Sequence, residues 1–155
     1  SSITFLLLLR QIKKNTSGMK SFLVLLLATA LAGSRCAAQC DKEFILTASL
    51  VEYLDPAYEV VRTMDDNSSI RISRDSVTIT PERDPALTGV VTQYTCNWQT
   101  PWIDGRSVIK ARFNDRGQET PLTLILEGKN GHLSFLILFD NKPERIIRIW
   151  PTVKK

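Results

Sequence analysis

Leu122-Thr123-Leu124-Ile125-Leu126-Glu127-Gly128-Lys129-Asn130-Gly131-His132-Leu133-Ser134-Phe135-Leu136-Ile137-Leu138-Phe139 is the stretch whose reading decides the fold. Two apolar runs flank Gly128-Lys129-Asn130-Gly131, and the Asn-Gly pair takes positive φ readily, as a tight β-hairpin turn requires. Each run is too short for a globular helix and is bounded by turn residues, so each reads as a strand. Leu133 to Phe139 is apolar on both faces, which predicts a strand that is central in its sheet or covered twice.

The same grammar extends in both directions. Upstream, Ser107 to Phe113 alternates sharply, with Ile109, Ala111 and Phe113 on one face and Val108, Lys110 and Arg112 on the other. Asn114-Asp115-Arg116-Gly117 turns the chain into the hairpin. Leu87 to Trp98 reads as a long strand with Val90, Thr92, Tyr94 and Cys96 on one face, and Trp98 to Gly105 as the longest irregular stretch. Ile70 to Ser73 and Val77 to Thr80 form a compact hairpin in which Ile70, Ile72, Val77 and Ile79 point the same way. Phe44 to Leu54 is the first strand, ended by Asp55-Pro56, and Tyr58 to Met64 the second, closed by a turn at Asp65-Asp66-Asn67-Ser68. Downstream, Ile146 to Trp150 closes the set, and Asp55-Pro56 and Asp140 to Glu144 have room for a single helical turn. The fold class predicted is all-β: an antiparallel meander of about eight to nine short strands, closing as a barrel or a sandwich.

Met19 to Ala38 predicts a signal peptide. Lys20 supplies the positive charge, Phe22 to Leu27 the apolar run, and Ala30, Ala32 and Ala38 the small residues before a cut. The run is shorter than the roughly 20 residues that span a bilayer. Both Ala32-Gly33-Ser34 and Cys36-Ala37-Ala38 offer a cleavage site; a cut after Ala38 leaves Gln39-Cys40 as the new start. Residues 1–18 read as an upstream segment outside the native protein, and 39–155 as one all-β domain. The placement expected is secreted or periplasmic; acylation of Cys40 would instead make an outer-membrane-anchored lipoprotein, although Ala37-Ala38-Gln39 departs from the usual Leu-Ala-Gly.

Five of the twenty basic residues precede residue 39 and all sixteen acidic ones follow it, so residues 39–155 carry fifteen cations against sixteen anions, a net charge of −1. The basic pI belongs to the leader and gives no reason to expect a nucleic-acid partner. A membrane partner is expected only if Cys40 is acylated. Of the three cysteines, Cys40 and Cys96 fall after the leader and are expected to bond to each other in an oxidising compartment.

In strand number, size and its Gly128-Lys129-Asn130-Gly131 hairpin, the chain resembles lipocalin-like small secreted β-barrel proteins. Cys96-Asn97-Trp98-Gln99-Thr100-Pro101, followed by Gly105-Arg106-Ser107-Val108-Ile109-Lys110-Ala111, also looks like uncharacterised bacterial exported proteins, a likeness that carries no activity with it.

Residue types for catalysis are sparse. His132 is the one histidine, and the sequence has no phosphate loop, His-Glu-x-x-His, Gly-x-Ser-x-Gly or Cys-x-x-Cys. No cofactor is expected. Asp65 and Asp66 are adjacent, and a turn would point them apart into water. Asn67-Ser68-Ser69 has the form of a glycosylation sequon, a short motif that arises by chance. Two groups are candidates for binding. Trp98 and Trp102 would offer flat apolar area in a loop, unless Trp98 plugs the core and Trp102 shields a turn. Arg106, Lys110 and Arg112 share one face of a strand, and Arg148 on the last strand is expected near them. Inside a barrel they would suit an amphiphile's carboxylate; outside they are a solvated face. The expected function is a non-catalytic exported binding module for a small amphiphile or another exported protein, with a surface-anchored interaction module as the alternative.

Overall fold

A computed structural model describes residues 40–154, and the upstream segment and leader lie outside them. Every element among the described residues is a strand: β1 (Phe44–Leu54), β2 (Val60–Ile72), β3 (Ser76–Thr80), β4 (Leu87–Thr100), β5 (Asp104–Asp115), β6 (Gln118–Lys129), β7 (His132–Phe139), β8 (Lys142–Ile149) and β9 (Thr152–Lys154). Each of β2 to β8 pairs antiparallel with its predecessor, and β8 returns to β1, so eight strands close a barrel. The extra strand, β9, also pairs with β1. β8 holds Val51 to Leu54, β9 holds Ile45 to Thr47, and Trp150-Pro151 separates the two partners.

Period-two alternation explains the core. Ile109, Ala111 and Phe113 on β5, Leu122, Leu124 and Leu126 on β6, and Phe135 and Ile137 on β7 are all buried. The hairpin at Gly128 to Gly131 forms as expected, with Asn130 at φ 52° and Gly131 at φ 80°. Ile70, Ile72 and Val77 are buried together, and Ile79 packs half-buried against them.

Several boundaries differ from expectation, each for a local reason. Asp65-Asp66-Asn67-Ser68 is strand, because β1 pairs through it, matching Leu50 to Asp65 and Ala48 to Ser68. β2 carries one extra residue there, a bulge at Asp66-Asn67 opposite Ser49 of β1. Asp104 and Gly105 begin β5, leaving only Pro101, Trp102 and Ile103 between strands; Trp102 takes φ 62° to make that turn. Val90 and Thr92 do not share a face with Tyr94 and Cys96, because a register shift between Val91 and Gln93 switches the phase, leaving Val90 exposed and Tyr94 half-buried. Asp55 makes a turn rather than a helix, its Oδ1 accepting from the backbone N–H of Ala57 and Glu59. β8 begins at Lys142, so no helical turn fills 140–144, and Trp150 falls outside it.

Candidate functional site

Strand direction alternates, so the turns after β1, β3, β5 and β7 gather at one end of the barrel and those after β2, β4 and β6 at the other. The two ends are filled differently.

At the second end Trp98 is 3 % exposed and plugs the barrel. Its Nε1–H donates to Ser107 Oγ at 2.8 Å, satisfying the polar atom that so buried an indole carries. The ring crosses Gly128, where a Cβ would come within 2.7 Å of it. Trp102 packs beside Trp98 with ring centroids 5.9 Å apart, and Phe44 meets Trp102 edge-on at 4.8 Å. Cys40 and Cys96 stand there at disulfide distance, with Cα atoms 6.0 Å apart, an arrangement compatible with an oxidising compartment. Burial raises the Tyr94 pKa above the ordinary tyrosine value, and a hydrogen bond with Ser107 works against the rise.

At the first end the barrel opens into a cavity of about 440 Å³. Its wall is made by inward positions of successive strands, among them Tyr53, Ile79, Phe113, Phe139 and Ile147. Phe113 reaches across β4 at Gly89, where any Cβ would come within 2.6 Å of the ring. The rim is charged. Asp65 and Asp66 come from β2, Arg83 and Asp84 from the β3–β4 connection, and Asp115 from the end of β5. Lys142 and Arg145 come from β8, and the Arg145 guanidinium lies 4.2 Å from the centroid of the Phe139 ring. Beside the rim, Glu82 accepts from the side chain and backbone N–H of Asn67, both at 3.3 Å, and these bonds hold its carboxyl below the ordinary glutamate pKa. Among the described residues no three His, Cys, Asp or Glu side chains stand together to hold a metal ion.

The five binding candidates read from sequence do not line this cavity. Trp98 and Trp102 belong to the plug. Arg106, Lys110 and Arg112 are on the outer face of β5, where Arg106 approaches Glu127 at 4.0 Å and Arg112 approaches Glu119 at 3.7 Å. The cause is strand phase: Ile109, Ala111 and Phe113 take the inward positions. Arg148 does not join the three cations: it is on the outside of β8, three strands from β5, its Nε 2.6 Å from Glu52. His132 is exposed at the β6–β7 turn, at the end opposite the cavity.

Fold and cavity together define a class, the antiparallel β-barrel plugged at one end and open to a ligand-sized cavity at the other. Comparison with protein families, curated proteins and solved structures found no match to this chain.

Proposed function

We propose that this chain is a non-catalytic exported binding protein that takes the apolar part of a small amphiphile into the open end of its barrel, in the manner of lipocalin-like carriers. The observation that carries this reading is the cavity of about 440 Å³ with apolar walls and a charged rim. Ligand pockets run from roughly 300 to 1,000 Å³ and are mostly apolar with a few placed polar groups. An eight-stranded barrel is wide enough to hold one small ligand. Lys142 and Arg145, both on β8, supply cations for an anionic headgroup while the chain lies against Ile147 and Phe139. Export accords with the cysteine pair and with the leader read at 19–38.

The test is titration with a fluorescently labelled fatty acid. Saturable binding by the wild type is expected, with Ile147→Trp, which fills the cavity, weakening it at least roughly tenfold, or about 1.4 kcal/mol. Unfolding by urea shows that the variant is folded. Equal binding by wild type and a folded Ile147→Trp overturns the reading.

A second reading, interaction with another exported protein, is favoured by β2. β3 pairs only with Ser69 to Ile72 of that strand, and the residues before them carry exposed apolar groups, Val61 at 65 %. An edge of this kind can accept a further strand.

A further inference from the structure

The cavity at the open end has a floor as well as a wall. Met64, Asp66 and Ser68 are the inward positions of β2 that line it, and the next one, Ile70, is 1 % exposed and belongs to the core. The same boundary recurs around the barrel. Val77, Leu124 and Phe135, one inward position further from the mouth than Ile79, Leu122 and Ile137, are fully buried. Ser68 is therefore the deepest lining residue of its strand. On every other strand the lining ends in an aliphatic or aromatic side chain, Ile79 on β3, Leu122 on β6, Ile137 on β7 and Ile149 on β8 among them.

This one hydroxyl on an apolar floor is unpartnered. Ser68 is 6 % exposed, and its Oγ has no hydrogen-bond partner among the described residues. Buried hydroxyls are rarely left so, because a polar group taken out of water without a partner loses free energy that a bound molecule can return. The position also says which part of a ligand would meet it. Ile149 lies four residues along β8 from Arg145, about 13 Å of strand at roughly 3.3 Å per residue, and a barrel strand tilts by about 40°, so the floor is about 10 Å below the rim cations. An extended alkyl chain advances roughly 1.3 Å per carbon, the projection of a C–C bond of about 1.5 Å, so about eight to ten carbons cover that depth.

We infer, resting on the amphiphile reading above, that the ligand of this cavity is polar at both ends: a medium-chain acid whose carboxylate meets Lys142 and Arg145 and whose far end carries a hydroxyl that bonds with Ser68 Oγ. A serine hydroxyl donates and accepts, and so does an alcohol, so the pair is satisfied in either direction. A plain fatty acid would set a methyl group against Ser68 and leave it unpartnered. A site with a buried group waiting for a hydroxyl discriminates against the analogue that lacks one.

The test is calorimetric titration of the wild type and Ser68→Ala with decanoate, 3-hydroxydecanoate and 10-hydroxydecanoate. The wild type is expected to bind 10-hydroxydecanoate about tenfold tighter than either of the others, and Ser68→Ala to lose about tenfold on 10-hydroxydecanoate alone. The variant removes a hydroxyl that bonds to nothing in the barrel, so urea unfolding should find it no less stable than the wild type. The ranking of the three acids by the wild type is a test that needs no variant. No binding of any of them by the wild type overturns the amphiphile reading and this inference with it. Binding of decanoate or 3-hydroxydecanoate as tight as that of 10-hydroxydecanoate overturns the inference and leaves the reading standing, as does a response to Ser68→Ala that is the same for all three.

Discussion

The two ends of this barrel are built from the same strands and the same alternation, yet one is plugged and the other hollow. At the plugged end an indole lies over glycine: Trp98 over Gly128, with Trp102 and Phe44 packed behind it. At the open end an aromatic also lies over glycine, Phe113 over Gly89, but no Trp lines the cavity. The difference teaches that closure alone does not make a cavity. A barrel of eight strands is near the limit that side chains can fill, so a Trp at one end where the other has a Phe is enough to leave the first packed and the second hollow.

If that contrast is right, substitutions at the two ends must differ in kind. Trp98→Ala should cost about 3–5 kcal/mol, because it removes a buried aromatic and leaves a void that the surrounding strands cannot collapse. Urea unfolding measures it, and a cost near that of a surface change would show that the plug is not packed. Separating Cys40 from Cys96, by reduction or by Cys96→Ser, should come next. The two lie 56 residues apart, and closing such a loop is worth about 4 kcal/mol in the chain-entropy model, with measured values more often about 2–4. Its loss should loosen the plugged end while leaving the mouth competent for ligand, readable as a lower unfolding midpoint with an unchanged dissociation constant for the labelled fatty acid.

The finest probe of the comparison is Tyr94, whose phenol is kept protonated above the ordinary tyrosine range by burial near the plug. A raised folded-state pKa favours the neutral form in the native state. Its contribution to stability is therefore full below the unfolded value and lost as pH climbs through the folded one. Spectrophotometric titration of the folded protein should show a late phenolate step that Tyr94→Phe abolishes. A titration complete within the ordinary range would mean that water reaches Tyr94.

The strands were legible because turn chemistry and period-two alternation agree, most clearly from Ser107 to Phe139. The bulges at Asp66-Asn67 and Thr92 were not, since an extra residue shows only against a partner strand, and the Thr92 bulge put Val90 on the wrong face. Asp65 to Ser68 read as a turn on composition, whereas pairing with β1 keeps it extended. The cavity was hidden for a different reason: Ile147 or Phe139 carries the same pattern whether it fills a core or lines a wall. Charge at the connections does not single that end out either, since Arg74, Asp75, Asp104 and Lys129 stand at the other end. Trp98 and Trp102 read either as a loop surface or as a core plug with a shielded turn, and the glycines at 105 and 128 leave Trp98 the room to be the plug.

One feature of the meander reaches into how the protein comes to be folded at all. β1, the first strand, zips to β2, then to β8 and β9, the last two, with Thr47 matched to Thr152 and Leu54 to Ile146. A chain emerging N-terminus first can assemble β2 through β7 hairpin by hairpin, but the seam waits for β8. Until then β1 keeps an open edge, and the ring is a curled ribbon. Contacts spanning nearly the whole length make such closure slow. β8 thus acts as a latch, with β9 a second catch: clipping the chain after Trp150 would leave the β8 seam, whereas clipping before Lys142 would leave the ribbon unable to become a barrel.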